Sequence, residues 1–191
     1  LATRTFAMFG DARYEFPAGF TFPAVFALLT HLYASKYKIP LATLKEQMAA
    51  VSIQSHEYAM KNPNAQIQKL ISKEDVLNSF MVSTPIQLND SYFTGIGQSS
   101  SGKLSSQYKY LPRIRARELA VQQSYGMAGL TPRDMDLCEL HDCFSIAALI
   151  AAEGLGFFEF GTAGRAWEKG ETRLGGRIPI NLSGGLKAKG H

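Results

Sequence analysis

The order of elements after Asp90 constrains this chain more than any other feature. Tyr92-Phe93-Thr94-Gly95-Ile96-Gly97 reads as a strand that leaves into a Ser/Gly-rich loop, Ser99 to Ser106. A helix is predicted from about Pro112 to Ala128, stopped by Gly129, and Thr131-Pro132 begins a turn. Met135-Asp136-Leu137-Cys138-Glu139-Leu140 alternates its apolar residues as a strand does. A further helix runs from Ser145 to about Glu153 and ends at Gly154 and Gly156, and Arg177 to Asn181 forms a last strand. Strand, helix, strand, helix, strand in that order predicts an α/β sheet with crossover connections.

The first ninety residues have a different texture. Residues 1–20 are aromatic and loop-like, with Phe6, Phe9, Tyr14, Phe16 and Phe20 interrupted by Gly10, Pro17 and Gly19. They are expected to pack their rings onto a core as an irregular segment. A helix follows from about Pro23 to Tyr37, burying a stripe of Val25, Leu28, Leu29 and Leu32. Thr43 and Glu46 match a T-x-x-E capping box, predicting a second helix to about Met60 that Asn62-Pro63-Asn64 ends. Ser72, with Asp75 three residues on, opens a third short helix to about Asn78. His31 and His56 each stand alone on a helix and are read as surface or packing residues.

Composition narrows the class. With 191 residues, 46% hydrophobic and 19% charged, the chain can bury a core of ordinary size. A net charge of +4 permits an anionic ligand but does not by itself predict nucleic-acid binding, and none is expected. Arg113, Arg115 and Arg117, beside Glu118, are expected on a solvated helix face. The two cysteines, Cys138 and Cys143, are too few for a disulfide scaffold and lack the paired spacing of a zinc site, so no metal is expected. The longest apolar runs, Ala24 to Leu29 and Ile146 to Ala152, fall short of the ~20 residues that span a membrane. No leader is read, and the expectation is a soluble, cytoplasmic protein. The chain starts at Leu1 without Met and stops at His191 behind a glycine-rich run, so both ends are expected to continue into further chain.

Two stretches carry chemistry. Glu139-Leu140-His141-Asp142-Cys143-Phe144-Ser145 lies where a predicted strand ends and a helix begins, the place where open α/β sheets bind ligands. A histidine there can donate a hydrogen bond to developing negative charge. The alternative is that Asp142 or Ser145 caps the helix while His141 bonds to backbone. Metal ligation by His141, Asp142 and Cys143 is disfavoured, because adjacent residues rarely converge on one ion. The second stretch is Asn181-Leu182-Ser183-Gly184-Gly185-Leu186-Lys187-Ala188-Lys189-Gly190-His191. Paired glycines after a strand allow positive φ or a close approach of backbone to ligand, and Lys187 and Lys189 could meet phosphates. No Walker motif is present, and the spacing does not fit G-x-G-x-x-G.

Together the two stretches resemble the thiolase superfamily. Asn-x-Ser-Gly-Gly-Leu-Lys-Ala-Lys-Gly-His at 181–191 is similar to the thiolase signature loop, whose last histidine belongs to the active site. His-Asp-Cys-Phe at 141–144 resembles the motif of the sterol-carrier-type and archaeal branch. Ser55-His56, Asn62-Pro63-Asn64-Ala65-Gln66 and Glu74-Asp75-Val76-Leu77-Asn78-Ser79 look like that branch's loop domain. The resemblance implies a five-layered α-β-α-β-α fold, with residues 1–90 as a helix-rich loop domain and 91–191 as most of the C-terminal half. It further implies a strand with an Asp-Gly-Ala run that is absent between Asp90 and Ser91, so residues are expected to be missing there. Leu182, where relatives often carry Pro, is a departure of little consequence.

The resemblance also implies an acyl-CoA acyltransferase that makes or cleaves 3-ketoacyl-CoA, with coenzyme A as substrate or product and no other cofactor. His191 would activate a nucleophilic cysteine upstream of residue 1, and His141 would complete an oxyanion hole. Asn181, Gly184, Gly185 and Phe144 would contact substrate, and Lys187 and Lys189 would support the loop. Neither Cys138 nor Cys143 matches a catalytic cysteine of the family. A homodimer or homotetramer is implied, as are a small zinc-ribbon/OB-fold acyl-CoA-binding partner and hydroxymethylglutaryl-CoA synthase. Two other readings remain open: a thiolase-like retro-aldol lyase acting on a branched or steroid side-chain acyl-CoA, and a non-catalytic subunit that binds acyl-CoA.

Overall fold

The computed structural model describes residues 21–83, 86–87, 109–128 and 130–190. The aromatic segment 1–20, the predicted strand Tyr92 to Gly97, the loop Ser99 to Ser106, the junction at Asp90–Ser91 and His191 lie outside the described residues.

Helix α1 (Phe22–Tyr37) begins where Thr21, in extended backbone, accepts a 3.3 Å hydrogen bond from the Ala24 amide. It stops at Lys38, whose left-handed φ of 54° lets its N–H reach back to the last carbonyls. Helix α2 (Leu41–Ala59) starts earlier than the predicted capping box. Its N-cap is Pro40, whose carbonyl accepts the Leu44 amide at 3.0 Å, so Thr43 falls inside the first turn. Helix α3 (Lys73–Leu77) opens as expected on Ser72 and Asp75, which form a reciprocal capping box. A short antiparallel pair, β1 (Met81–Ser83) and β2 (Ile86–Gln87), follows.

Helix α4 (Arg115–Ala128) contains two of the three arginines predicted to be solvated, and that expectation is corrected. Glu118 is only 5% exposed, and Arg113 grips its carboxylate with two bonds of 2.7 and 2.5 Å while Arg115 adds one of 3.0 Å. Arg113 also lies 4.1 Å over the Phe160 ring. Arg117 is largely withdrawn from solvent, and burial lowers its proton affinity. After a 3-10 turn at Pro132–Asp134, the predicted strand through Cys138 is reduced to one parallel bridge with Ile180. The sheet is therefore shorter among the described residues than the alternation predicts.

Helix α5 (Ser145–Gly154) is the centre of the molecule. Every residue from Ser145 to Glu153 is buried. A helix without a polar face must be enclosed on all sides, and α1, α2, α4 and the short helix α6 (Ala163–Glu168) pack around it. Elements from either side of residue 90 thus share one core, from Ala27 and Met48 to Ile150, Trp167 and Ile180. Phe144 stacks on Phe26 with ring centroids 4.3 Å apart. Gln54 on α2 is 2% exposed and donates to the carbonyls of Thr172 and Ile180, each at 3.0 Å, while accepting the Thr172 hydroxyl at 2.7 Å.

The end of α5 holds a buried acid. Glu153 accepts the Tyr33 hydroxyl from α1 and the amides of Gly161 and Ala163, at 3.0 and 3.1 Å, where α6 begins. These donors favour the carboxylate, yet burial outweighs them and pushes the group up from 4.5 to about 7. An acid whose folded pKa lies above its unfolded one adds stability that is complete below the unfolded value and is lost as pH rises through the folded one. In the full-length protein the melting temperature is expected to drop between about pH 4.5 and 7. Glu153→Gln should remove that part of the slope in a pH-resolved thermal melt, and identical slopes for the two proteins would refute it.

Candidate functional site

Two extended segments meet beyond the core. The Cys138 amide donates to the Pro179 carbonyl and the Asn181 amide to the Cys138 carbonyl, both at 2.9 Å, a parallel arrangement. At the end of this pairing the backbones part, and side chains take over. The Leu140 amide donates to Asn181 Oδ1 at 2.8 Å. Glu139 accepts the amide and hydroxyl of Ser183 at 3.0 and 2.6 Å. Asp142 Oδ1 accepts the Leu186 amide at 2.7 Å.

The glycine-rich run then closes on itself. Asn181 sits at φ 54°, a left-handed value that asparagine tolerates better than most residues. Gly184 and Gly185 follow at φ 102° and 58° and lead into a π-helical turn, Gly185–Lys189. A Cβ on Gly184 would lie 2.9 Å from the Ala59 methyl of α2, and one on Gly185 would lie 2.3 Å from Asp142 Oδ2. From the other side, Asn62 donates to the Ser183 carbonyl at 2.9 Å, and the amides of Ile67 and Gln66 reach the carbonyls of Ala188 and Lys189 at 3.0 and 3.1 Å.

Of the residues singled out from sequence, His141 is exposed, flanked by Leu140 and Asp142 at 9% and 0% exposure. An exposed histidine thus stands between two residues anchored in the interior. His191 lies outside the described residues, but the loop that leads to it is held against the His141 turn. Asn181, Gly184 and Gly185 are buried in the joint between the two segments. Phe144, taken as a substrate contact, is 3% exposed and faces the core against Phe26. The alternative role for Asp142 or Ser145 as helix cap is not adopted. Phe144 is the N-cap position without a side-chain bond, and Ser145 Oγ lies 3.0 Å from Ser52 Oγ. His56 is a packing residue, 7% exposed, with Nδ1 2.7 Å from the Lys69 carbonyl. Burial lowers its pKa.

Lys187 is 3% exposed and turned inward towards Asp142, so it supports the loop and does not offer a charge at the surface. Burial pushes the Asp142 carboxyl up, opposed by Lys187, by the Leu186 amide and by the side chains of Asn181 and Ser55. The two thiols are held protonated: burial raises Cys138 to about 11 and Cys143 to about 12, where the neighbouring Asp142 charge adds to it. Neither is poised as a nucleophile. Among the described residues no three His, Cys, Asp or Glu side chains gather to hold a metal ion, and no helix is long and apolar enough to cross a membrane. A cavity of about 940 Å³, lined by Arg133, Phe158, Arg165 and Arg177 among others, shares no residue with this site.

Sequence reasoning missed two features of the joint: Ser55, Asn62 and Gln66 bracket the loop from outside it, and Glu139, within the first stretch, ties that stretch to Ser183. All but Glu139 stand in the stretches whose family likeness was noted, which was the available signal.

The family model for the thiolase C-terminal domain-like family matches residues 97–191. Acetyl-CoA acetyltransferase of Methanothermobacter thermautotrophicus is 37% identical over 99% of this chain. The chain belongs to the thiolase superfamily. A second acetyl-CoA acetyltransferase, from Methanocaldococcus jannaschii, is 30% identical over the whole of this thiolase-superfamily chain. Bovine sterol carrier protein 2 is 29% identical over 78% of it and is covered over 33% of its own length. The chain spans about half of the archaeal relatives, 55% of each. Among solved structures, an aldolase described as Ltp2-ChsH2(DUF35) superposes with a TM-score of 0.71 at 23% identity, covering 86% of this chain and 50% of that one. That likeness concerns the fold alone, and with the family-model match it supports a thiolase-like fold.

Gly185→Ala tests the joint directly. Its Cβ would meet Asp142 Oδ2 and occupy a left-handed φ, so the variant should lose ~1–3 kcal/mol of stability. Denaturant unfolding of the full-length protein measures this, and an unchanged midpoint would show that the loop is not clamped as described.

Proposed function

We propose that the complete protein is a thiolase, which joins acyl-CoA units by Claisen condensation and cleaves 3-ketoacyl-CoA by thiolysis. The observation that carries this reading is the clamp between the exposed His141 turn and the loop that ends at His191, made by the Leu140–Asn181, Glu139–Ser183 and Asp142–Leu186 hydrogen bonds. It is supported by the archaeal acetyl-CoA acetyltransferases that this chain resembles. The five-layered arrangement belongs to the same proposal, and the burial of α5 on every side suits a middle-layer helix.

In thiolysis a cysteine thiolate, supplied from outside this sequence, attacks the 3-keto carbon. The C2–C3 bond breaks, its electron pair passes into the enolate of acetyl-CoA, and that enolate takes up a proton. The acyl group then moves from the cysteine to the thiol of coenzyme A, and condensation is the reverse. The difficult species is the enolate, whose thioester oxygen carries the charge. In this reading His141 donates an N–H to that oxygen, and His191 activates the cysteine and also faces the thioester. A homodimer or homotetramer and the small acyl-CoA-binding partner remain part of the proposal on the resemblance alone.

Acetoacetyl-CoA thiolysis by the full-length protein, beside His141→Ala and His191→Ala, tests it. Folded variants should lose ~100-fold or more in rate. An intact protein that binds coenzyme A but cleaves neither acetoacetyl-CoA nor longer 3-ketoacyl-CoAs would overturn the thiolase reading in favour of the lyase or the non-catalytic subunit.

A further inference from the structure

We infer that Asp142 is a positioning residue: its buried carboxylate sets the register between the turn that presents His141 and the glycine-rich loop that leads to His191. The inference rests on the thiolase reading for its kinetic consequence, but its structural content stands on the joint itself.

Asp142 is 0% exposed, and its donors come from two other parts of the chain. Ser55 Oγ, on α2, donates to Oδ2 at 3.2 Å across a sequence separation of 87 residues. The Leu186 amide, in the π-helical turn, donates to Oδ1 at 2.7 Å across 44 residues. The Asn181 side chain, whose Oδ1 is already taken by the Leu140 amide, adds a further bond to the carboxylate through its amide nitrogen. Lys187 brings a positive charge into the same buried space. The Leu186 amide and the Asn181 amide nitrogen donate and Lys187 is a cation, while Ser55 divides its one hydroxyl proton between this carboxylate and the Val51 carbonyl at 3.1 Å, so the position favours an accepting side chain.

Gly185 completes the case. The loop passes so near the carboxylate that a Cβ there would lie 2.3 Å from Oδ2. A carboxylate that served only as general ballast in the core would not need the backbone this close. Asp142 and His141 are adjacent, so a shift in how Asp142 seats against Leu186 moves His141 relative to the loop. Misplacement of a reacting group by about 1 Å can cost ~100-fold in rate.

Asp142→Asn keeps the shape and offers an NH2 where Asn181 already donates. In the full-length protein, acetoacetyl-CoA thiolysis by Asp142→Asn should fall ~10- to 100-fold in kcat, with KM for coenzyme A changed less than ~3-fold. Hydrogen exchange followed by mass spectrometry should show faster exchange confined to peptides covering 183–190. Ser55→Ala, the milder variant, should lose less in kcat, and the double variant should be no slower than Asp142→Asn alone, because both act through one carboxylate. Wild-type kcat in Asp142→Asn, unchanged loop exchange, or additive losses would each overturn the inference. If Asp142→Asn fails to fold, the kcat and loop exchange of Ser55→Ala decide. A wild-type protein without thiolysis would sink the thiolase reading, and the exchange data would still show whether Asp142 holds the loop.

Discussion

Everything described here depends on the enclosure of one helix. Helix α5 is buried along its length, so each face must find a neighbour, and the neighbours come from distant parts of the sequence. Hydrophobic burial of this kind is non-directional and can hold helices together without specifying their register. Polar contacts supply the register: Ser52 against Ser145, Tyr33 against Glu153, and Gln54 against Thr172 and Ile180. Because the His141 turn runs directly into α5, a correctly seated α5 brings that turn to its place.

Three buried acids show how the same physics gives different outcomes. Glu118 pays the cost of burial, but Arg113 and Arg115 hold it and leave its pKa below the ordinary value. Glu153 meets neutral donors alone, and burial wins. Asp142 lies between them, with neutral donors on its oxygens and Lys187 nearby, and burial still raises it. Glu118 is both less deeply buried than the other two and held by two guanidinium groups, which stabilise a carboxylate more than neutral donors do, and together these lower its pKa.

How much of this was legible in the sequence depended on whether the cause was local. The start of α1 at Thr21 and the box at Ser72 and Asp75 are interactions within one turn, and both could be read directly. Helix α2 began at Leu41 because Pro40 already holds a compatible φ, so the nearby Thr43–Glu46 pattern was not needed as a cap. Helix α6 was not foreseen: Thr162 stands at its N-cap but makes no side-chain bond there, and its first amide, that of Ala163, is satisfied by Glu153 from the end of α5. The two site stretches were recognised as chemically informative and as neighbours in function. The link between them was not legible, because Asp142 reads locally as a helix cap while its partners lie 44 and 87 residues away. The arginines of α4 show the same limit: their spacing beside Glu118 was visible, and its burial was not.

The protonated state of Cys138 and Cys143 has a practical side. With thiols raised to about 11 and 12, the thiolate fraction at neutral pH is on the order of one in ten thousand or less. Electrophiles that label cysteine react through the thiolate, so this segment stays chemically quiet toward them. A thiol-directed tag added to the whole protein would therefore report on cysteines elsewhere in the chain against a low background.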